Sequence, residues 1–115
     1  MGDFTVAGKN KMLDALAIDQ VSLHTDDPGS TGLNEVSGGA PAYAKETIAF
    51  NAAASGSAAQ TSAVQFDVPA GTTITHIGYW SVGVFMGAES ITPTHIAVQG
   101  TFDLDADVLA ITDVV

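Results

Sequence analysis

Apolar positions recur every three to four residues near the N-terminus and every second residue thereafter, which predicts one helix followed by short strands. Thr5 is placed to cap a helix over about 5–18. Val6, Leu13, Leu16 and Ala17 form its apolar side, and Lys9, Asn10, Lys11 and Asp14 turn outward. From Val21 the period is two: Val21, Leu23 and Thr25 share one side and Ser22, His24 and Asp26 the other, as in a half-buried strand. Residues 45–51 alternate again with Ile48 and Phe50 inward, and Val64, Phe66 and Val68 form a further strand. Pro69-Ala70-Gly71 reads as a hairpin turn into the strand Thr72 to Ser81. Val82 to Met86, Thr94 to Val98 and Thr101 to Ala106 complete the set. In the last of these, Phe102, Leu104 and Ala106 point inward and Asp103, Asp105 and Asp107 outward. Leu109 and Ile111 take the other parity, so a bulge or turn is expected near Asp107.

Two segments lack a period. Asp26 to Ala40 carries turn chemistry throughout and is longer than most connections, the mark of a functional or mobile loop. The small-residue tract Asn51 to Gln60 has no large apolar stripe and reads as loop. One helix followed by closely spaced strands predicts a mainly β protein: an antiparallel β-sandwich or jelly-roll-like barrel with one N-terminal α-helix. Residues 1–115 are expected to form a single domain, with the helix over about 5–18 and the sandwich over about 20–115. The expected core is Leu13, Leu16, Val21, Leu23, Ile48, Phe50, Val64, Phe66, Val68, Ile74, Ile77, Trp80, Phe85, Ile96, Val98, Phe102 and Leu104. Adjacent Tyr79 and Trp80 must face opposite sides of one strand, so one of them leaves the core or meets another subunit.

Charge narrows the partners. Thirteen acids face three lysines and no arginine, for a net charge of −10. Such a surface repels phosphate backbones and anionic lipid, so neither nucleic acid nor membrane is an expected partner. Protein or neutral surfaces remain. The absence of cysteine excludes disulfides, thiolate zinc sites and thiol nucleophiles. No apolar run approaches the roughly 18 residues of a membrane span, and Met1-Gly2-Asp3-Phe4 lacks a basic leader, so the chain is expected in the cytoplasm when made. Met1-Gly2 opens like an acylation site, but Val6 stands where a hydroxyl is needed.

Searches for chemistry end in structural readings. Gly8-Lys9 lacks the spacing, hydroxyl and preceding strand of a phosphate loop. His24, His76 and His95 have no nucleophile elbow nearby and no metal-ligand spacing. Asp26, Asp27, Asn34 and Glu35 depart from the calcium-loop pattern, with Pro28 and Gly29 where ligands belong. The row Asp103, Asp105 and Asp107 is expected to protect a sheet edge from aggregation. No cofactor or metal is expected.

Five ordered blocks carry a family resemblance: Ala7 to Leu16, Val21 to Gly29, Asn34 to Gly39, Pro41-Ala42-Tyr43-Ala44, and Phe66 to Thr72 with Ile77-Gly78-Tyr79-Trp80-Ser81. Together they resemble small tailed-bacteriophage tail fibre or minor tail proteins over about residues 7 to 81. The chain departs from these relatives in having no arginine, with Lys45-Glu46 where they carry basic residues. The resemblance implies a non-enzymatic virion structural protein, repeated on the tail or on the capsid exterior. Its partners would be virion proteins and copies of itself. A capsid decoration protein and a host-surface glycan-binding module are the alternatives; paired acids suited to glycan hydrolysis are not recognisable. Candidate interface or host-contact residues are Lys9, Lys11, Asp26, Asp27, Tyr43, Tyr79 and Trp80.

Overall fold

A computed structural model describes residues 4–105 and, as backbone, 108–110. Helix α1 spans Val6–Leu16. The Thr5 hydroxyl accepts the Gly8 N–H at 3.1 Å, and Ala17 closes the helix in the left-handed region with its N–H donating to the Asp14 carbonyl. Leu13 is buried, but Val6 is 54% exposed and so leaves the expected apolar side. Asn10 and Asp14 do not simply face water. Their side-chain oxygens accept the Gly56 and Ala53 N–H groups at 3.0 and 2.9 Å, supplying acceptors to small-residue backbone that lacks a ladder partner.

Among the described residues eight strands follow: β1 Gln20–His24, β2 Glu46–Thr47, β3 Ser57–Ala59, β4 Val64–Val68, β5 Thr72–Ser81, β6 Val84–Ile96, β7 Gly100–Leu104 and β8 Val108–Ala110. The protein is mainly β with antiparallel pairing throughout. One sheet has the order β2-β1-β5-β6, and the pairs β4-β7 and β3-β8 form two smaller sheets. Val21 and Leu23 lie opposite Tyr79 and Ile77 on one face of the large sheet and pack on Val64, Phe66 and Val68 of β4, with Val36, Ile48 and Ile74 completing the core. These facing layers have the build of a sandwich.

Several expectations change. Pro69-Ala70-Gly71 is not a hairpin turn: β4 pairs with β7 and β5 with β1 and β6, so the turn carries the chain between layers, with the Gly71 N–H held by the Ile96 carbonyl at 2.7 Å. The hairpin is instead Val82-Gly83, whose φ of 47° and 78° suit a tight two-residue connection between Ser81 and Val84. Val84 to Ile96 is one 13-residue edge strand, which absorbs the separate strand expected from Thr94. It has two irregularities. Met86 is the extra residue between the pairs Tyr79↔Gly87 and Trp80↔Phe85. Residues 91–93 oppose Thr75, and that break accommodates Pro93 on an edge. Val98 is 74% exposed and does not belong to the core.

Within the tract expected to be loop, Ser57–Ala59 pairs with β8 and Ala58 is buried. β1 is buried on both faces, since Ser22 and His24 are as inaccessible as Val21 and Leu23. Val36 and Tyr79 join the core, while Leu16, Phe50, Ile96, Phe102 and Leu104 are half-buried. The parity break falls where β7 ends and β8 takes a different partner, β3; Ala106, Asp107 and Ile111 lie outside the described residues.

Candidate functional site

The second face of the large sheet carries the most concentrated polar chemistry in the described fold. Gln20, Ser22 and His24 of β1 lie opposite Trp80, Gly78 and His76 of β5. The 26–35 loop folds over this face and docks alongside β1: the Val36 N–H donates to the Leu23 carbonyl and the Thr25 N–H to the Asn34 carbonyl, each at 3.0 Å. Two glycines leave room for the side chains packed on this face. A Cβ on Gly78 would stand 2.5 Å from Ser22 Oγ and 2.6 Å from His24 Nε2, and one on Gly32 would stand 2.7 Å from the Trp80 ring.

A single chain of hydrogen bonds crosses the enclosed face. Trp80 Nε1–H donates to Ser22 Oγ at 2.8 Å, Ser22 Oγ lies 2.6 Å from His24 Nε2, and His24 Nδ1 lies 2.7 Å from the Leu33 carbonyl. A carbonyl only accepts, so Nδ1 carries the proton. Nε2 of the neutral ring therefore accepts from the Ser22 hydroxyl. Burial lowers the His24 pKa and outweighs the Leu33 carbonyl and the Glu35 charge, which favour the cation. Phe85 meets the rings of His24 and Trp80 edge-on at 6.2 and 5.2 Å.

The rim of this face is ionic. Glu35 accepts from the Tyr43 hydroxyl through one carboxylate oxygen and from Lys45 Nζ through the other, both at 2.8 Å. Lys45 Nζ also sits 4.3 Å from the centre of the Trp80 ring. The Tyr43 oxygen accepts the Leu23 N–H at 2.9 Å, and its ring stacks on Phe66 at 6.1 Å, so Tyr43 ties the chain after the loop to both β1 and the core. Desolvation pushes its phenol pKa far above the ordinary value, assisted by Glu35.

A serine donating to a histidine has the form of half a hydrolytic triad, but here a backbone carbonyl, not a carboxylate, orients the ring. Both residues are 0% exposed, so a substrate carbonyl does not reach Ser22 Oγ. The arrangement joins a loop to a sheet. Asp26 and Asp27 are exposed, and their carboxylates accept the N–H groups of Asp27 and Gly29 at 2.8 and 2.9 Å while Pro28 is buried beneath them, giving an ordered turn. His76 and His95 pair with Thr75 and Thr73 at 2.8 Å. Among the described residues no group of three or more His, Cys, Asp or Glu is placed to hold a metal ion.

The seven residues singled out from sequence do not form one surface. Tyr43 and Trp80 meet through Glu35 and Lys45 at the loop rim, and Asp26 and Asp27 lie on the loop itself. Lys11 is exposed and Lys9 half-buried on α1, the helix that packs on β3. Tyr79 is a core residue at 7% exposure, so it offers no face for stacking on a sugar. His24 and Glu35 read from sequence as structural, while Ser22, Lys45 and the two glycines were not singled out as part of a site. The available signal was parity, because Ser22, His24, Gly78 and Trp80 fall on one side of two adjacent strands. Elsewhere an apolar groove lined by Met12, Ala15, Leu16 and Met86 lies open, and Val84, two residues before Met86 on β6, is exposed as well.

Fold and site together define a mainly β protein whose densest polar cluster, among the described residues, ties a loop to a sheet. The family model for Podophage GP4 fiber I protein gp80 matches residues 9–111, and the chain belongs to that phage tail-fibre family. No curated protein and no solved structure matches it.

Proposed function

We propose that this chain is a non-enzymatic building unit of a tailed-phage fibre, exposed on the particle and held there by contacts with virion proteins, copies of itself included. The observation that carries this reading is family membership across residues 9–111. Two features of the molecule support it. Its buried serine and histidine are engaged internally, and its uncovered apolar surface at Met12, Leu16, Met86 and Val84 is of the kind that a subunit contact covers. The net charge of −10 disfavours nucleic acid and anionic membrane as partners.

The glycan-binding alternative loses its best residues. Tyr79 is buried, Tyr43 is held at both ends, and Trp80 lies between Gly32, Phe85 and Lys45. Imaging intact particles with a labelled antibody against the chain tests the proposal. Label on the tail fibres is expected; label on the head shell would establish the decoration role instead, and turnover of a host glycan by purified protein would overturn the non-enzymatic reading.

A further inference from the structure

The Trp80–Ser22–His24–Leu33 chain has a polarity that works in only one protonation state. In the neutral state each group has a suitable partner: Trp80 donates to Ser22, Ser22 donates to His24, and His24 donates to Leu33. A proton added at Nε2 turns that atom into a donor. Ser22 Oγ then faces two donors, its own hydroxyl hydrogen loses its acceptor, and a cation sits in a fully buried position. The loop is the part able to yield. Its backbone pairs with β1 at one isolated bridge, His24↔Glu35, and its other bond to β1 is the one His24 itself makes to Leu33, whereas β5 holds β1 along five consecutive register pairs.

We propose that His24 is an acid-sensitive latch: protonation of its ring releases the 26–35 loop from the sheet and uncovers the Trp80 face, with the β4–β7 layer left intact. The charged and titratable groups facing His24 are Glu35 from the loop, His76 from β5 and Lys45 from the segment before β2. Glu35 favours the charged ring, and His76 and Lys45 oppose it. In the released state the ring regains its ordinary pKa of 6.5, so release becomes easier as pH falls below that value. The gain is at most about tenfold per pH unit for one proton, and it ends where the latched ring itself protonates.

Trp80 is the only tryptophan of the chain and donates directly into the latch, so its emission reports opening. The experiment follows Trp80 emission and amide exchange of the full-length protein between pH 7.5 and 5. Expected are a red shift and faster exchange at residues 33–35 as pH falls, with unchanged exchange in residues 64–68. His24→Gln, which cannot charge, should abolish both changes. Ser22→Ala removes the donor that favours the neutral ring, so the latched ring tolerates a proton better and the pH range over which release is driven should narrow; Glu35→Gln removes the charge that favours the cation in the latched state, so that range should widen and the transition move to higher pH. Flat emission and exchange in the native protein would overturn the latch. So would a transition that persists in His24→Gln, one unmoved in Ser22→Ala and Glu35→Gln, or one that appears only with loss of the whole fold by circular dichroism. These readouts use purified protein and are independent of where the chain sits on a particle.

Discussion

The two faces of the large sheet are built from alternate residues of the same strands, yet they are held by different forces. On one face Val21, Leu23, Ile77 and Tyr79 meet the apolar β4 layer, and the stabilisation is non-directional and scales with area removed from water. On the other, Ser22, His24, Gly78 and Trp80 lie beneath a loop held by directed hydrogen bonds, close glycine contacts and a half-exposed ion pair. The first face sets how stable the domain is, and the second sets where the loop lies. Substitutions should therefore divide into those that lower global stability and those that mainly release residues 26–35.

The largest effect belongs to the apolar face. Phe66 is fully buried between the Tyr43 and Phe102 rings. Phe66→Ala is expected to cost about 3–5 kcal/mol in denaturant unfolding, from lost transfer energy and the cavity left behind. A cost below about 1 kcal/mol would mean that this layer is not the principal core. On the loop face, Gly78→Ala forces a methyl against Ser22 Oγ and His24 Nε2, both fixed by hydrogen bonds, and should cost about 1–3 kcal/mol. Proteolysis should separate the two variants: cleavage in the 26–35 loop is expected in Gly78→Ala under conditions that leave the β4–β7 layer intact.

Tyr43 touches both faces, which makes it a sharper probe of their coupling. Tyr43→Phe keeps the ring on Phe66 but leaves the Leu23 N–H without its acceptor, an expected loss of about 1–3 kcal/mol. Its ionisation gives the pH signature. The folded phenol pKa lies above the ordinary 10.0, so the unfolded chain gives up this proton first as pH rises. The Tyr43 contribution is complete below pH 10.0 and declines above it; unfolding midpoints measured between pH 8 and 11 should fall less steeply in Tyr43→Phe.

This contrast also explains what the sequence discloses. Val64, Phe66 and Val68 alternate with polar residues and face a single core, so their burial is readable from period alone. The Thr5 cap is a local signal of the same kind. Ser22-Leu23-His24 alternates just as clearly, but its polar side is closed by Leu33 and Trp80, partners that lie 9 and 58 residues along the chain from the groups they bond. Nothing local marks that closure. Pro69-Ala70-Gly71 fails for a related reason: the same turn residues serve a hairpin and a crossing between layers, and only the long-range ladders β4–β7 and β1–β5 distinguish them. The parity of Tyr79 and Trp80 predicts opposite faces, and the structure puts Tyr79 in the core and Trp80 under the loop. Gly32, which lets the loop close against the Trp80 ring, lies 48 residues before it and is silent in any periodicity.

The smallest effect tests whether the ionic rim adds to the loop face or only borders it. Lys45 and Glu35 are partly exposed, with side chains 31% and 22% accessible, so solvent screens their attraction. Lys45→Met keeps most of the apolar stem on Trp80 while removing the charge. Global stability should change by less than about 1 kcal/mol, with the difference shrinking further in high salt. The pH dependence should respond more clearly, because Lys45 opposes a charged His24: without it the latched ring accepts a proton more readily, and the Trp80 emission transition should shrink and move to lower pH. A large global loss with no movement of that transition would reverse the assignment, making the rim part of what holds the two layers together.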